Sequence, residues 1–149
     1  MIDLYNNEAI GAISIASVLK YAKRITYAKA LLILPFFAHK ETTTFLKNNS
    51  VKVRSLEELI VKKFEYFSNF EDRYYSLIPV SINSILILKE LNIIDIDEGV
   101  ITYIDKANIN FNDKLLGKRA KNIINGSERL AKILEEDVDS LYLQLRIEI

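Results

Sequence analysis

The chain has 149 residues, half of them apolar and 27% charged, which is enough to close one core and ordinary for a soluble globular protein. Its 20 lysines and arginines balance 20 aspartates and glutamates, so no global field draws in nucleic acid or an acidic substrate, and any electrostatic partner surface must be a local patch. With no cysteine in the sequence, disulfides, thiolate zinc sites and a cysteine nucleophile are excluded.

The first residues, MIDLYNNEA, lack the basic segment and apolar core of a secretory signal, so a cytoplasmic protein is expected. Asn6 or Asn7 can cap a first helix, and Ala9, Ile13, Ala16 and Leu19 then recur at helical spacing. Thr26 is a cap for a second helix. Within that helix the nine residues Ala30–Ala38 carry no polar side chain. A helix apolar on every side must be buried on every side, so this one is expected at the centre of the fold. It is about half the ~20 residues a membrane span needs, and no membrane association is expected. Pro35 removes one helical hydrogen bond and should kink or break the helix, re-aiming Phe36, Phe37 and Ala38.

Further along, Ser55 caps a long amphipathic helix through Leu56, Ile60, Phe64, Phe67, Phe70 and Tyr74, expected to end before Pro79. Ser81–Leu91 reads as a short helix spending Ile82, Ile85, Leu86, Ile87, Leu88 and Leu91 on burial. Ile93–Ile96 and Val100–Ile104, joined through Asp97-Glu98-Gly99, form the clearest β-hairpin signal. After a polar connector over Asn108–Asp113, the residues Leu116, Ala120, Ile123, Ser127, Leu130 and Leu134 make a helical stripe that Asn125-Gly126 can split. The tail Ser140–Ile149 alternates apolar and polar, a strand pattern that would complete a small sheet. The expected class is therefore mainly α with a small β-hairpin. A helix feeding a hairpin after earlier helices is the order of a winged-helix domain, and one such domain over 1–149 is expected.

Sites are sparse. His39, the only histidine, would need a nucleophile and an orienting carboxylate to act as a base; beyond its neighbours Glu41, Thr42 and Thr43 nothing supports that, and a structural or interface role is the plainer reading. Asp95, Asp97, Glu98 and Asp105 surround the hairpin without the spacing of a Ca²⁺ loop, and no metal or cofactor is expected. The same acids would repel phosphate, and the helix before them offers no arginine for base readout. Lys114, Lys118, Lys121, Arg129 and Lys132 follow helical spacing and offer at most a weak, non-specific nucleic-acid face. Glu128 and Glu135 interrupt it, which favours an ordinary wet face. No glycine arrangement forms a phosphate loop.

Several segments taken in order carry a family resemblance. They are Tyr5-Asn6-Asn7-Glu8-Ala9, then Leu34-Pro35-Phe36-Phe37-Ala38-His39-Lys40-x-Thr42, then Phe70-x-x-Arg73-x-x-x-Leu77-x-Pro79, the Leu91–Tyr103 helix-to-hairpin junction, and Leu141-Tyr142-x-x-Leu145-Arg146-Ile147. The ordering resembles the middle component of bacterial three-component ABC systems, conflict systems directed at invading DNA such as phage. The pattern differs at Thr43, where arginine is expected, and at Lys47, where proline is common. The resemblance implies a non-catalytic accessory subunit that bridges an ABC- or SMC-like ATPase and a further component or effector. It leaves open a homodimer and DNA contact that is weak at most. Leu34, Pro35, Phe36, Phe37, His39, Lys40 and Thr42 are the expected protein interface, with the two phenylalanines turned partly out of the core by the Pro35 kink. A winged-helix DNA-binding regulator and an enzyme centred on His39 are the other classes left open.

Overall fold

The computed structural model describes residues 2–104 and 117–148, with side chains from Asn7 onward. Lys114, Leu116, Asp105 and the Asn108–Asp113 connector, all singled out in the sequence, lie outside the described residues. The fold is mainly α with a small antiparallel sheet. In chain order the elements are α1 Ile2–Ala22, β1 Arg24–Thr26, α2 Tyr27–Phe37, α3 Lys40–Lys47, α4 Leu56–Lys62, a 3-10 turn Phe64–Phe67, α5 Phe70–Glu90, β2 Ile94–Asp97, β3 Val100–Tyr103, α6 Gly117–Ile133 and α7 Val138–Gln144.

The second helix sits where its composition requires. Thr26 caps α2 by accepting from the Lys29 amide, and Ala30 and Leu32–Phe37 are buried. Around it, α1 lies between α5 and α6. Small side chains let these helices approach: a Cβ at Gly11 would collide with the Ser84 hydroxyl of α5, and the buried hydroxyls of Ser17 and Ser127 meet at 2.6 Å between α1 and α6. Gly126 presses α6 onto α3, where a Cβ would come within 3.1 Å of Leu46. That close contact is why α6 runs unbroken through Asn125-Gly126 instead of splitting there: Ser127 donates back to the Ile123 carbonyl and does not cap a second piece. The stripe Ala120, Ile123, Ser127, Leu130 and Leu134 is buried as expected.

The sheet has the order β1-β3-β2. Ile25 pairs with Ile101 and Asp97 with Val100, so Ile25, Ile94 and Ile101 turn inward. The hairpin loop is shorter than expected. Glu98 (φ 48°) and Gly99 (φ 76°) are both left-handed, the two-residue turn whose twist matches the strands.

Several expectations for the helices need correction. The first helix is already formed at Ile2, so Asn6 and Asn7 lie within the helix and not at its start. The helix from Ser55 is not continuous: Ser55 caps α4, but the chain leaves helical geometry at Lys63 and tightens into the 3-10 turn, which sets Phe67 against Phe36 and Phe70. Phe64, assigned to the buried stripe, is 63% exposed. Conversely, α5 runs straight through Pro79; the residue faces solvent, and the proline penalty of roughly 3 kcal/mol is offset by burial of Val80, Ser84, Ile85 and Leu88 on the opposite side.

The tail is helix, not strand. Asp137 caps α7 by accepting from the Asp139 and Ser140 amides, and Leu141, Tyr142 and Leu145 turn into the core while Leu143 is 79% exposed. The third strand of the sheet is supplied by Arg24–Thr26 instead.

Candidate functional site

The segment Leu34–Thr42 is held by donors from elsewhere in the chain. A helix end leaves carbonyls without partners. Here Arg73 Nε of α5 donates to the Pro35 carbonyl at 3.2 Å and its Nη2 to the Tyr66 carbonyl at 3.2 Å. The Thr43 hydroxyl donates to the Phe37 carbonyl at 2.9 Å. The helix therefore passes Pro35 intact and ends at Ala38. Its last turn is buried, with Phe36 0% and Phe37 2% exposed. Phe36 meets the edges of Phe70 (4.9 Å between ring centres) and Phe67 (6.0 Å). The expectation that Pro35 turns the phenylalanines outward is thus overturned: the turn that would have re-aimed them comes two residues after Phe37. Leu34, Pro35 and Thr42 are also buried, and of the expected interface residues only His39 and Lys40 reach solvent.

His39 caps α3. Its Nδ1 accepts from the Thr42 amide (3.3 Å) and pairs with the Thr42 hydroxyl at 2.8 Å, while Nε2 lies 3.3 Å from a Glu41 carboxylate oxygen. An accepting Nδ1 is neutral, with the proton on Nε2 facing Glu41. Partial burial, seconded by Arg73, holds its pKa below the ordinary histidine value against the opposing pull of Glu41. Hydroxyl, imidazole and carboxylate in sequence have the outline of a nucleophile, base and orienter. Thr42, however, is 1% exposed, and the adjacent cavity is lined by Thr43 and Thr44, not by Thr42 or His39.

That cavity, about 470 Å³, lies between α3 and α6 and is lined by Phe37, Ala38, Lys40, Thr43, Thr44, Lys118, Arg119 and Asn122. It joins two sets of residues that are separate in the sequence, Lys40 of the expected protein interface and Lys118 of the expected basic face. The basic face is otherwise dispersed. Arg129 turns inward and donates to the carbonyls of Leu46 and Val51, so it tethers the loop after α3 and does not face solvent as expected. Lys132 lines a different concavity beside Glu128 and Glu135, and Lys121 is exposed. At the hairpin Asp95, Asp97 and Glu98 are exposed, and among the described residues no acidic or histidine group is clustered to hold a metal.

A second surface contradicts the sequence reading of the helix before the hairpin. On α5, Ile85 and Leu88 are buried, but Ile82, Leu86, Ile87 and Leu91 are 37%, 51%, 38% and 63% exposed. Leu86, Ile87 and Leu91 share a shallow concavity with Glu8, Asn83 and Glu90. Of the six residues expected to be spent on burial, only Ile85 and Leu88 are covered by the described residues.

Among the described residues no helix is long and apolar enough to cross a membrane. A family model described as "ABC-three component (ABC-3C) system Middle Component 3" matches residues 2–149. No curated protein and no solved structure matches the chain.

Proposed function

Because the chain belongs to the family of Middle Component 3 of ABC-three component systems, we propose that it is an accessory subunit, without catalysis of its own, that bridges the system's ABC- or SMC-like ATPase and an effector in cytoplasmic defence against invading DNA. The observation that carries the mode of action is the exposed apolar side of α5. Helix α5 followed by β2 and β3, with β1 completing the sheet in the order β1-β3-β2, supports reading this part of the chain as a winged helix. In that arrangement α5 stands where a DNA reader would present its recognition helix. Here that position carries Ile82, Leu86, Ile87 and Leu91, and the wing carries Asp95, Asp97 and Glu98. Such a surface suits protein, not phosphate.

The occupant is a partner component presenting an apolar ridge with basic flanks. The apolar patch is rimmed by Glu8 and Glu90, so a two-fold self-contact centred on Leu86 would bring like charges together, whereas a basic-flanked partner would neutralise them.

The test is co-purification of the chain with its co-expressed system partners. Leu86→Asp, on an exposed position, is expected to leave the melting temperature of the free chain unchanged and to remove the partner from the complex. Full retention of the partner by folded Leu86→Asp, or a stable homodimer that the same substitution dissolves, would overturn this assignment.

A further inference from the structure

We propose that the cavity between α3 and α6 is a binding site for a nucleoside di- or triphosphate. It is independent of the α5 face and of the partner that face receives. Three cations line it, Lys40 from α3 and Lys118 and Arg119 from α6, and among the described residues no carboxylate lines it. All three are exposed, and among the described residues none makes an ion pair or a side-chain hydrogen bond. By contrast, the arginines at 73 and 129 are spent on backbone carbonyls. Three unneutralised cations held around one concavity repel each other, and an anion bound among them removes that repulsion.

The backbone adds to the field. Lys40 is the first residue of α3, beside Glu41 in the same turn, and Lys118 and Arg119 lie in the first turn of α6, so the positive ends of both helices lie close to the cations. No acidic residue occupies the first turn of α6.

Shape decides between a small phosphate ligand and a nucleic-acid strand. The cavity's volume lies in the range of small-molecule sites, roughly 300–1,000 Å³, and exceeds the needs of a single phosphate. Ala38 and the rim of Phe37 give it an apolar floor, and Thr44 and Asn122 add uncharged polar groups. A nucleic-acid strand needs a continuous basic track. The described chain has none, because Arg129 is turned inward and Lys132 stands with Glu128 and Glu135. In the complex with a nucleotide, Lys40, Lys118 and Arg119 hold the phosphates and the apolar floor receives the base.

The experiment is isothermal titration calorimetry of the full chain at low salt, with inorganic pyrophosphate and with ATP, and with a duplex oligonucleotide as a third arm. Pyrophosphate and ATP are expected to bind and to compete for one site. The double variant Lys118→Ala/Arg119→Ala should weaken both by about tenfold or more, the loss expected for two charge-assisted contacts, while keeping the wild-type melting temperature. Arg119→Lys should retain most of the affinity, and Lys89→Ala, on the far end of α5, should retain all of it. Absence of binding by both phosphates, binding undiminished in the double variant, or duplex that displaces pyrophosphate and binds more tightly than ATP, would each overturn the assignment.

Discussion

Arg73 Nε donates to the carbonyl of Pro35 at 3.2 Å, tying the middle of α5 to the last turn of α2. The same guanidinium lies over the Phe70 ring, 5.1 Å from its centre, and reaches the Tyr66 carbonyl with its other branch. Two sequence features spaced far apart, the Leu-Pro run and the Phe70-x-x-Arg73 pair, are therefore one structural joint.

Arg73→Ala should lower the unfolding free energy by about 1–3 kcal/mol, since it leaves two part-buried carbonyls without a charged donor. Arg73→Lys should recover less than half of the loss, because an ammonium cannot fork between two carbonyls. Urea denaturation followed by circular dichroism measures both.

The cap at His39 gives a pH dependence of defined sign. Burial and Arg73 lower the His39 pKa in the folded state, so the folded chain binds this proton less readily than the unfolded chain. The contribution is complete above the unfolded pKa of about 6.5 and is lost as pH falls below it. Protonation also removes the acceptor for the Thr42 amide. His39→Asn, which can still cap, should abolish this part of the slope, while His39→Ala should cost about 1 kcal/mol at neutral pH. Melting temperatures of the three proteins between pH 5 and 8 decide it; equal slopes in wild type and His39→Asn would contradict the assignment of the titrating group.

Phe37→Ala is expected to destabilise the free chain by about 3–5 kcal/mol, the loss of a well-packed aromatic, because only 2% of Phe37 is exposed. A melting temperature close to wild type would mean that the ring is not core in solution and would return the partner surface to Leu34–Thr42.

How much of this is legible in the sequence depends on the range of the interactions involved. The Thr26 and Ser55 caps, the Gly99 turn and the α6 stripe are local and were readable. The segment 141–147 misleads because Leu141, Leu143, Leu145 and Ile147 alternate like a strand; the helix forms because Asp137 caps it and because the Tyr142 hydroxyl donates to the Ala28 carbonyl at 2.6 Å, a contact across the whole chain. Strand β1 is three residues long, too short for periodicity to register. For α5, composition tells that the helix is apolar but not which side finds a partner. The basic cavity is hidden for a similar reason: Lys118 stands on the basic face with Lys121, but Arg119 falls off that spacing, and nothing local links either to Lys40. Thr44 and Asn122, which line the same cavity, carried no signal of their own.

The central claim is that the exposed side of α5 is where another component of the system docks. Hydroxyl-radical footprinting of the chain, free and in complex with its co-purified ATPase, reads side-chain accessibility directly. The account predicts that oxidation of Leu86, Ile87 and Leu91 falls sharply in the complex, while Leu143, 79% exposed on α7, keeps its free-chain rate. Unchanged oxidation at Leu86 and Leu91 in an intact complex would contradict it.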